Sequence, residues 1–199
     1  GVRRLLRKPL LAAYGVGFCV LFSQVATFTY AGLYLSQAPF SLGAAALGTL
    51  YAVFLLALVV IPVAGRLSKS RPQSQLLTGA VALGICGSAL TLLPSLWLIV
   101  LGLALSSTGV FLAQASANAY IATTAGADKS GAVGLYLTGY YLGGSAGAVA
   151  PAMLWNQWGW PGCVALVAGF QLLSLAIALL GWKPVKPQAL IAGQRGKPA

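Results

Sequence analysis

Apolar residues in this chain run on for longer than a soluble core requires, and short stretches of Gly, Pro, Ser and charged residues punctuate the runs. About 20 apolar residues are needed to cross a hydrocarbon layer of about 30 Å. Six segments approach or exceed that length, at 9–35, 43–64, 76–94, 96–122, 131–154 and 162–182. A membrane barrel would instead alternate apolar and polar residues in spans of about ten. The pattern therefore predicts an all-α integral membrane protein, a bundle of six transmembrane helices.

Inside these spans the residues sort into faces at helical spacing. On the fifth span Gly139, Gly143 and Gly147 fall four apart, a small-residue stripe where a neighbouring backbone can come close. Thr138, Tyr141 and Ser145 lie roughly opposite, polar and uncharged. On the fourth span Ser107, Phe111, Gln114 and Asn118 make one continuous face, and on the first Gln24, Thr27, Phe28, Ala31 and Tyr34 do the same. An amide deep in a membrane is costly unless partnered. Gln114 and Asn118 either bond across to another helix or line a polar cavity, and the number of polar residues sharing the stripe favours the cavity.

Composition sharpens the class. Of 199 residues 59% are hydrophobic and only 7% charged, with a mean hydropathy of +0.88, where a soluble domain carries roughly a quarter charged residues. The net charge of +11 is not a nucleic-acid footprint, which needs a contiguous basic face. The basic residues sit at span ends: Arg3, Arg4, Arg7 and Lys8; Arg66, Lys69 and Arg71; Lys129; then Lys183, Lys186, Arg195 and Lys197. The alternate connections, near 36–42, 94–95 and 155–160, carry none. That alternation follows the positive-inside rule for an even number of spans with both termini cytoplasmic. It divides the chain into a basic segment 1–8, a bundle 9–182 and a basic, disordered tail 183–199. Attraction to anionic inner-leaflet lipids follows from the same charge.

Chemistry is sparse. No span holds Asp, Glu, Lys, Arg or His, so there is no nucleophile with a base, no metal site and no cofactor-binding motif, and an enzyme is excluded. Cys19, Cys86 and Cys163 are isolated packing residues. The basic start lacks a small-residue cleavage pattern, so the first run is expected to stay in the membrane rather than act as a signal peptide. Asp128, the single acid, or Ser130 is expected to cap the start of the fifth helix, and Asp128 could also pair with a basic residue such as Arg66 or Arg71. Trp155, Trp158 and Trp160 are expected to form an outer interfacial belt, and Trp182 an inner anchor. The third span, with Gly79, Gly84 and Gly87, is expected at the lipid-facing periphery.

The two halves of the chain echo each other. Gln24 aligns with Gln114, Tyr30 with Tyr120 and Pro62 with Pro151, while the first and fourth spans run in opposite directions, which would make a three-plus-three inverted repeat. At Gly109-Val110-Phe111, at Gln114 to Asn118 and above all at GLYLTGYYLGGSAGAVAP with its Trp-rich turn, the chain resembles the C-terminal half of a major facilitator superfamily transporter, and within it YnfM-like bacterial efflux permeases. The resemblance covers nearly the whole chain and implies half of a twelve-helix fold in the bacterial inner membrane, with spans 1, 2, 4 and 5 facing a central cavity. It implies export of a small organic or amphipathic solute by alternating access, with an N-terminal six-helix half as partner. A homodimer of self-sufficient six-span carriers and a non-transporting scaffold are the alternatives.

On this reading Gln24, Gln114, Asn118 and Thr138 supply hydrogen bonds to substrate, and Tyr30, Phe111 and Tyr141 aromatic surface. Gly65, Arg66 and Arg71 resemble the superfamily's gating loop, but Lys69 stands where its acid is expected, which puts a charge relay in doubt. Any proton-coupling carboxylate is expected outside these residues, in the N-terminal half.

Overall fold

The computed structural model describes residues 2–183, and every regular element among them is helical. A short α1 (Val2–Leu5) leads into α2 (Lys8–Ser36). Then come α3 (Ala44–Thr49), a 3-10 stretch (Leu50–Leu56) and α4 (Ala57–Ser70) as one continuous rod, followed by α5 (Gln73–Leu90), α6 (Leu96–Thr124), α7 (Lys129–Val149) and α8 (Pro151–Gly181). Four segments are long and apolar enough to cross a membrane: Lys8–Ser36, Ala44–Ser70, Leu96–Thr124 and Pro151–Gly181. The basic tail expected from 183 lies, beyond Lys183, outside the described residues.

The last of these is two helices in space. Gly159 adopts φ 62 and ψ −147, a conformation essentially reserved for glycine, and the chain doubles back there. A Cβ on Gly162 would meet the Leu154 carbonyl at 2.9 Å, and Gly181 at the far end of α8 lies against Ala12 near the start of α2. The rod 129–158, bent only at Pro151, therefore runs one way and 160–181 the other. The basic span ends converge: Arg7 donates to the Thr124 carbonyl at 3.4 Å and the Lys183 amide to the Tyr120 hydroxyl at 2.9 Å.

Two pairs of helices touch backbone to backbone. On α7 Gly139, Gly143 and Gly147 face the carbonyl oxygens of Tyr14, Phe18 and Phe22 on α2, one turn apart on each helix. A Cβ at Gly139 would stand 3.2 Å from Tyr14 O and one at Gly147 2.5 Å from Phe22 O, with Gly143 and Phe18 closer still. The second pair joins α5 to α6, where a Cβ on Gly87 would lie 2.6 Å from Gly102 O and one on Gly109 2.6 Å from Ala80 O. Membrane helices gain from such close approach because lipid supplies no hydrophobic drive for their association. α2 stands at the centre, packed on α6, α7 and α8, and the Phe22 and Phe170 rings stack at 3.7 Å between α2 and α8.

Several expectations need correction. The second span does not end at 64: α4 stays helical through Ser70, so Gly65, Arg66 and Lys69 are helical and only Arg71 and Pro72 connect to α5. Hydropathy falls there, but Arg, Lys and Leu are good helix formers, and the Ser68 and Ser70 hydroxyls bond back to the Gly65 and Leu67 carbonyls at 2.9 and 3.2 Å. Trp160 does not face outward. It is 4% exposed, stacks on Tyr34 at 5.6 Å and 7°, and donates its indole N–H to Thr91 O and Oγ1 at 3.2 and 3.1 Å. Trp182 is likewise buried, stacked on Tyr120 at 4.5 Å. Asp128 occupies the N-cap position of α7 with no side-chain capping hydrogen bond, and Ser130 falls inside the helix. Of the small positions on α5, Gly84 and Gly87 are contacts and Gly79 faces open space.

Gly143→Val is expected to cost about 1–3 kcal/mol by overpacking, read as a lowered melting temperature of the purified protein, whereas Gly134→Ala, whose Cβ meets nothing within 4 Å, leaves it unchanged or slightly higher. Trp160→Phe keeps the stack but removes the bond to Thr91, so a loss of about 1 kcal/mol is expected, also by thermal unfolding. An unchanged melting point would mean that the N–H bond contributes nothing.

Candidate functional site

The 3-10 stretch shapes the site. With three residues per turn, side chains at i and i+3 eclipse, so Tyr51 and Phe54 leave the rod on one side. Both rings meet Phe28 of α2, at 5.7 and 4.6 Å, and Phe54 meets Phe111 of α6 edge-on at 6.1 Å. Four aromatic rings from three segments thus form one layer.

About one turn nearer the basic end comes a polar layer. α2 and α6 are antiparallel, so Gln24, four residues before Phe28, and Gln114, three after Phe111, both lie about 5 Å below the rings. Gln114 neighbours the Tyr140 hydroxyl of α7. Tyr140 in turn packs on Tyr136 at 5.8 Å and edge-on against Tyr141 at 5.5 Å. Asn118, one further turn along α6, is exposed, and so are Thr138 and Tyr141, the last to 63%. The polar face of α7 points outward because its glycine face is held against α2.

Not every expected residue belongs to this surface. Tyr30 is buried and donates its hydroxyl to the Ala148 carbonyl at 3.1 Å, fastening α2 to α7. Ser107, at the head of the α6 stripe, is fully buried. Thr138 and Ser145 donate to the Gly134 and Tyr141 carbonyls one turn back, at 3.0 and 3.1 Å, so their hydroxyls are satisfied within α7. Gly65, Arg66 and Arg71 are exposed at the basic end, away from the aromatic layer. Sequence reasoning did not single out Tyr51, Phe54 or Tyr140. The three-residue spacing of the first two, which share a face of any helix, was an available signal, and for Tyr140 it was its position beside Tyr141. Among the described residues, no group of His, Cys, Asp or Glu could hold a metal.

The surface offers amides, hydroxyls and aromatic faces without fixed charge. Its chemistry is that of stacking and hydrogen bonding.

Comparison with known proteins gives the family. Over 176 residues the chain is 31% identical to an uncharacterized transporter of Buchnera aphidicola subsp. Schizaphis graminum, covering 88% of this chain and 42% of that protein. It is 34% identical over 172 residues to the inner membrane transport protein YnfM of Escherichia coli, covering 86% of this chain and 40% of YnfM. With YybF of Bacillus subtilis, an uncharacterized MFS-type transporter, identity is 27% over 168 residues, 84% of this chain and 42% of that protein. The chain thus spans about two fifths of the length of these relatives. Residues 18–199 match the family described as the Major Facilitator Superfamily: the chain belongs to the major facilitator superfamily.

Proposed function

We propose that this chain forms the C-terminal, six-span half of a secondary transporter in a bacterial inner membrane, exporting a small organic solute by alternating access. The observation that carries the reading is the open, uncharged surface of amides and aromatic rings shared by α2, the α3–α4 rod, α6 and α7. It lies on the side of the bundle that has no other helix against it, where an N-terminal half would complete a cavity. The neighbour pattern supports an inverted repeat. Exchanging α2 with α6, the α3–α4 rod with α7 and α5 with α8 converts the α2–α7 contact into α6–α4 and the α2–α8 contact into α6–α5, and all four are present. Both termini of such a unit lie on the basic, cytoplasmic side.

The chemistry of the surface selects its solute. With aromatic faces and no fixed charge, neutral, amphipathic or cationic organic molecules suit it, cations through the ring quadrupole, and anions that need an Arg clamp do not. Gln24, Gln114 and Asn118 supply directed hydrogen bonds, Thr138 and Tyr141 line the α7 side, and Phe111, Phe54 and the exposed Tyr51 form the aromatic wall, backed by the buried Phe28. Gly65, Arg66 and Arg71 stand at the cytoplasmic end of the second span, where a gate between the halves would lie.

In cells expressing the full-length transporter, Gln114→Ala and Asn118→Ala are each expected to lower solute export by about 2- to 12-fold, the cost of one hydrogen bond at about 0.5–1.5 kcal/mol. Unchanged export in both variants removes these residues from the site. In a Cys86→Ser background, which eliminates the exposed native thiol, Thr138→Cys is expected to react with a membrane-impermeant thiol reagent, while Ser107→Cys, fully buried, stays unreactive. Labelling of Thr138→Cys only by lipid-soluble reagents would mean that this face is dry.

A further inference from the structure

A second recognisable site lies at the basic end, away from the aromatic surface. Two cavities open there on either side of Tyr120. One, of about 240 Å³, is bounded by Pro72, Gln73 and Ser74 at the start of α5 and by Leu179, Trp182 and Lys183 at the end of α8. The other, of about 190 Å³, is bounded by Arg7, Leu10, Thr123, Thr124 and Lys183. Tyr120 and Lys183 border both, and the Lys183 amide donates to the Tyr120 hydroxyl that separates them.

We propose that this paired cavity binds the phosphate headgroup of an anionic phospholipid. Its charged lining residues are cations, Lys183 in both cavities and Arg7 in one, and the single acid of the chain, Asp128, lines neither. Among the other polar groups the Ser74 and Thr124 hydroxyls and the second amide hydrogen of Gln73 can donate, whereas Thr123 gives its proton to the Ala119 and Tyr120 carbonyls and Gln73 its first to Ser68 O. The first cavity also takes in the first turn of the 18-residue α5, whose unpaired amides and positive dipole end favour an anion. Two buried polar atoms among the lining residues, Thr124 Oγ1 and Trp182 Nε1, have no partner within the protein.

The apolar surroundings favour a lipid over a free anion. Next to the first cavity, Leu179 and Leu180 on the last turn of α8 are 60% and 78% exposed, and Leu172 and Leu173 two turns deeper are exposed as well. This strip leads from the cavity mouth along the helix towards the bilayer centre, the path that acyl chains attached to the phosphate would take. Basic pockets between transmembrane helices at the cytoplasmic side recognise headgroups in this way.

The test is lipid binding to the purified, delipidated full-length protein, followed by native mass spectrometry with phosphatidylglycerol or cardiolipin. Lys183→Gln and Arg7→Gln are each expected to weaken binding about five-fold, the ratio given by about 1 kcal/mol per basic residue near the surface, and Lys183→Arg to retain it. Lys129→Gln, which removes an equal charge at the same end outside both cavities, is expected to change nothing. Circular dichroism of each variant checks that the helices remain. An equal loss in Lys129→Gln would reduce the effect to a diffuse field, and equal binding of phosphatidylethanolamine would mean no recognition of charge. Displacement of the lipid by inorganic phosphate would make this a soluble-anion site; any of the three results overturns the proposal.

Discussion

The rest of the architecture depends on the contact between the α7 glycines and the α2 backbone. In a membrane the solvent is as apolar as the side chains, so helices are held by how closely they pack and by the polar groups they share. Three glycines a turn apart, set against three carbonyls a turn apart, bring the two backbones closer than any side chain would permit. The Cα hydrogens of Gly139, Gly143 and Gly147 then face oxygens of Tyr14, Phe18 and Phe22, a contact of the weakly attractive C–H···O type. Once this face of α7 is fixed, its opposite face, with Thr138 and Tyr141, has no choice but to look outward. Burial is uneven for the same reason: two thirds of the apolar window of α2 is enclosed, against 6% for the Ala44–Ser70 rod.

Polar side chains in the bundle divide into those that satisfy themselves and those that cannot. Thr108, Ser116, Thr138 and Ser145 each return their hydroxyl to the carbonyl four residues earlier, at 2.8–3.1 Å, as Ser and Thr can in helices. Such residues cost the membrane little and say little about a site. A glutamine or asparagine amide has two donors and an acceptor and no comparable local solution. Gln24, Gln114 and Asn118 therefore carry more of the functional argument than the hydroxyls. The aromatic layer above them supplies shape rather than hydrogen bonding.

Much of this was legible in the sequence, for identifiable reasons. Hydropathy located the long helices and their connections because crossing a hydrocarbon layer constrains length and polarity together. The spacing of Gly139, Gly143 and Gly147 is likewise a local property of one helix. What failed was anything that depended on a distant partner or on a departure from the 3.6-residue period. Trp160 reads as an interfacial anchor until Thr91, from another part of the chain, takes its N–H. Arg66 and Lys69 read as loop because charge was equated with the end of a helix, whereas helical hydrogen bonds outlast the apolar run. Tyr51 and Phe54, three residues apart, share a face of an α-helix too; what is not legible is the 3-10 winding of Leu50–Leu56 that eclipses them, a seven-residue stretch longer than usual.

The same contacts limit how the bundle can move on the proposed transport reading. Sliding α7 by one residue along α2 would bring Tyr140, Gly144 and Ala148 towards the carbonyls now met by glycines, and the Tyr140 ring has no room there. The α5–α6 pair is locked in the same manner through Gly87, Gly102 and Gly109. With α2 also packed on α6 and α8, both locked pairs share one core, and shear within it would separate contacts too short to stretch gradually. Packed interfaces of this kind switch between discrete arrangements rather than deform continuously. Rearrangement within this half must therefore fall on the part that lacks such contacts, the lightly buried rod from Ala44 to Ser70, which bears Tyr51 and Phe54. Thr138 and Tyr141, on the glycine-locked α7, move with α2 as one body. A solute held between the two would thus touch one surface that is free to shift and one that is not.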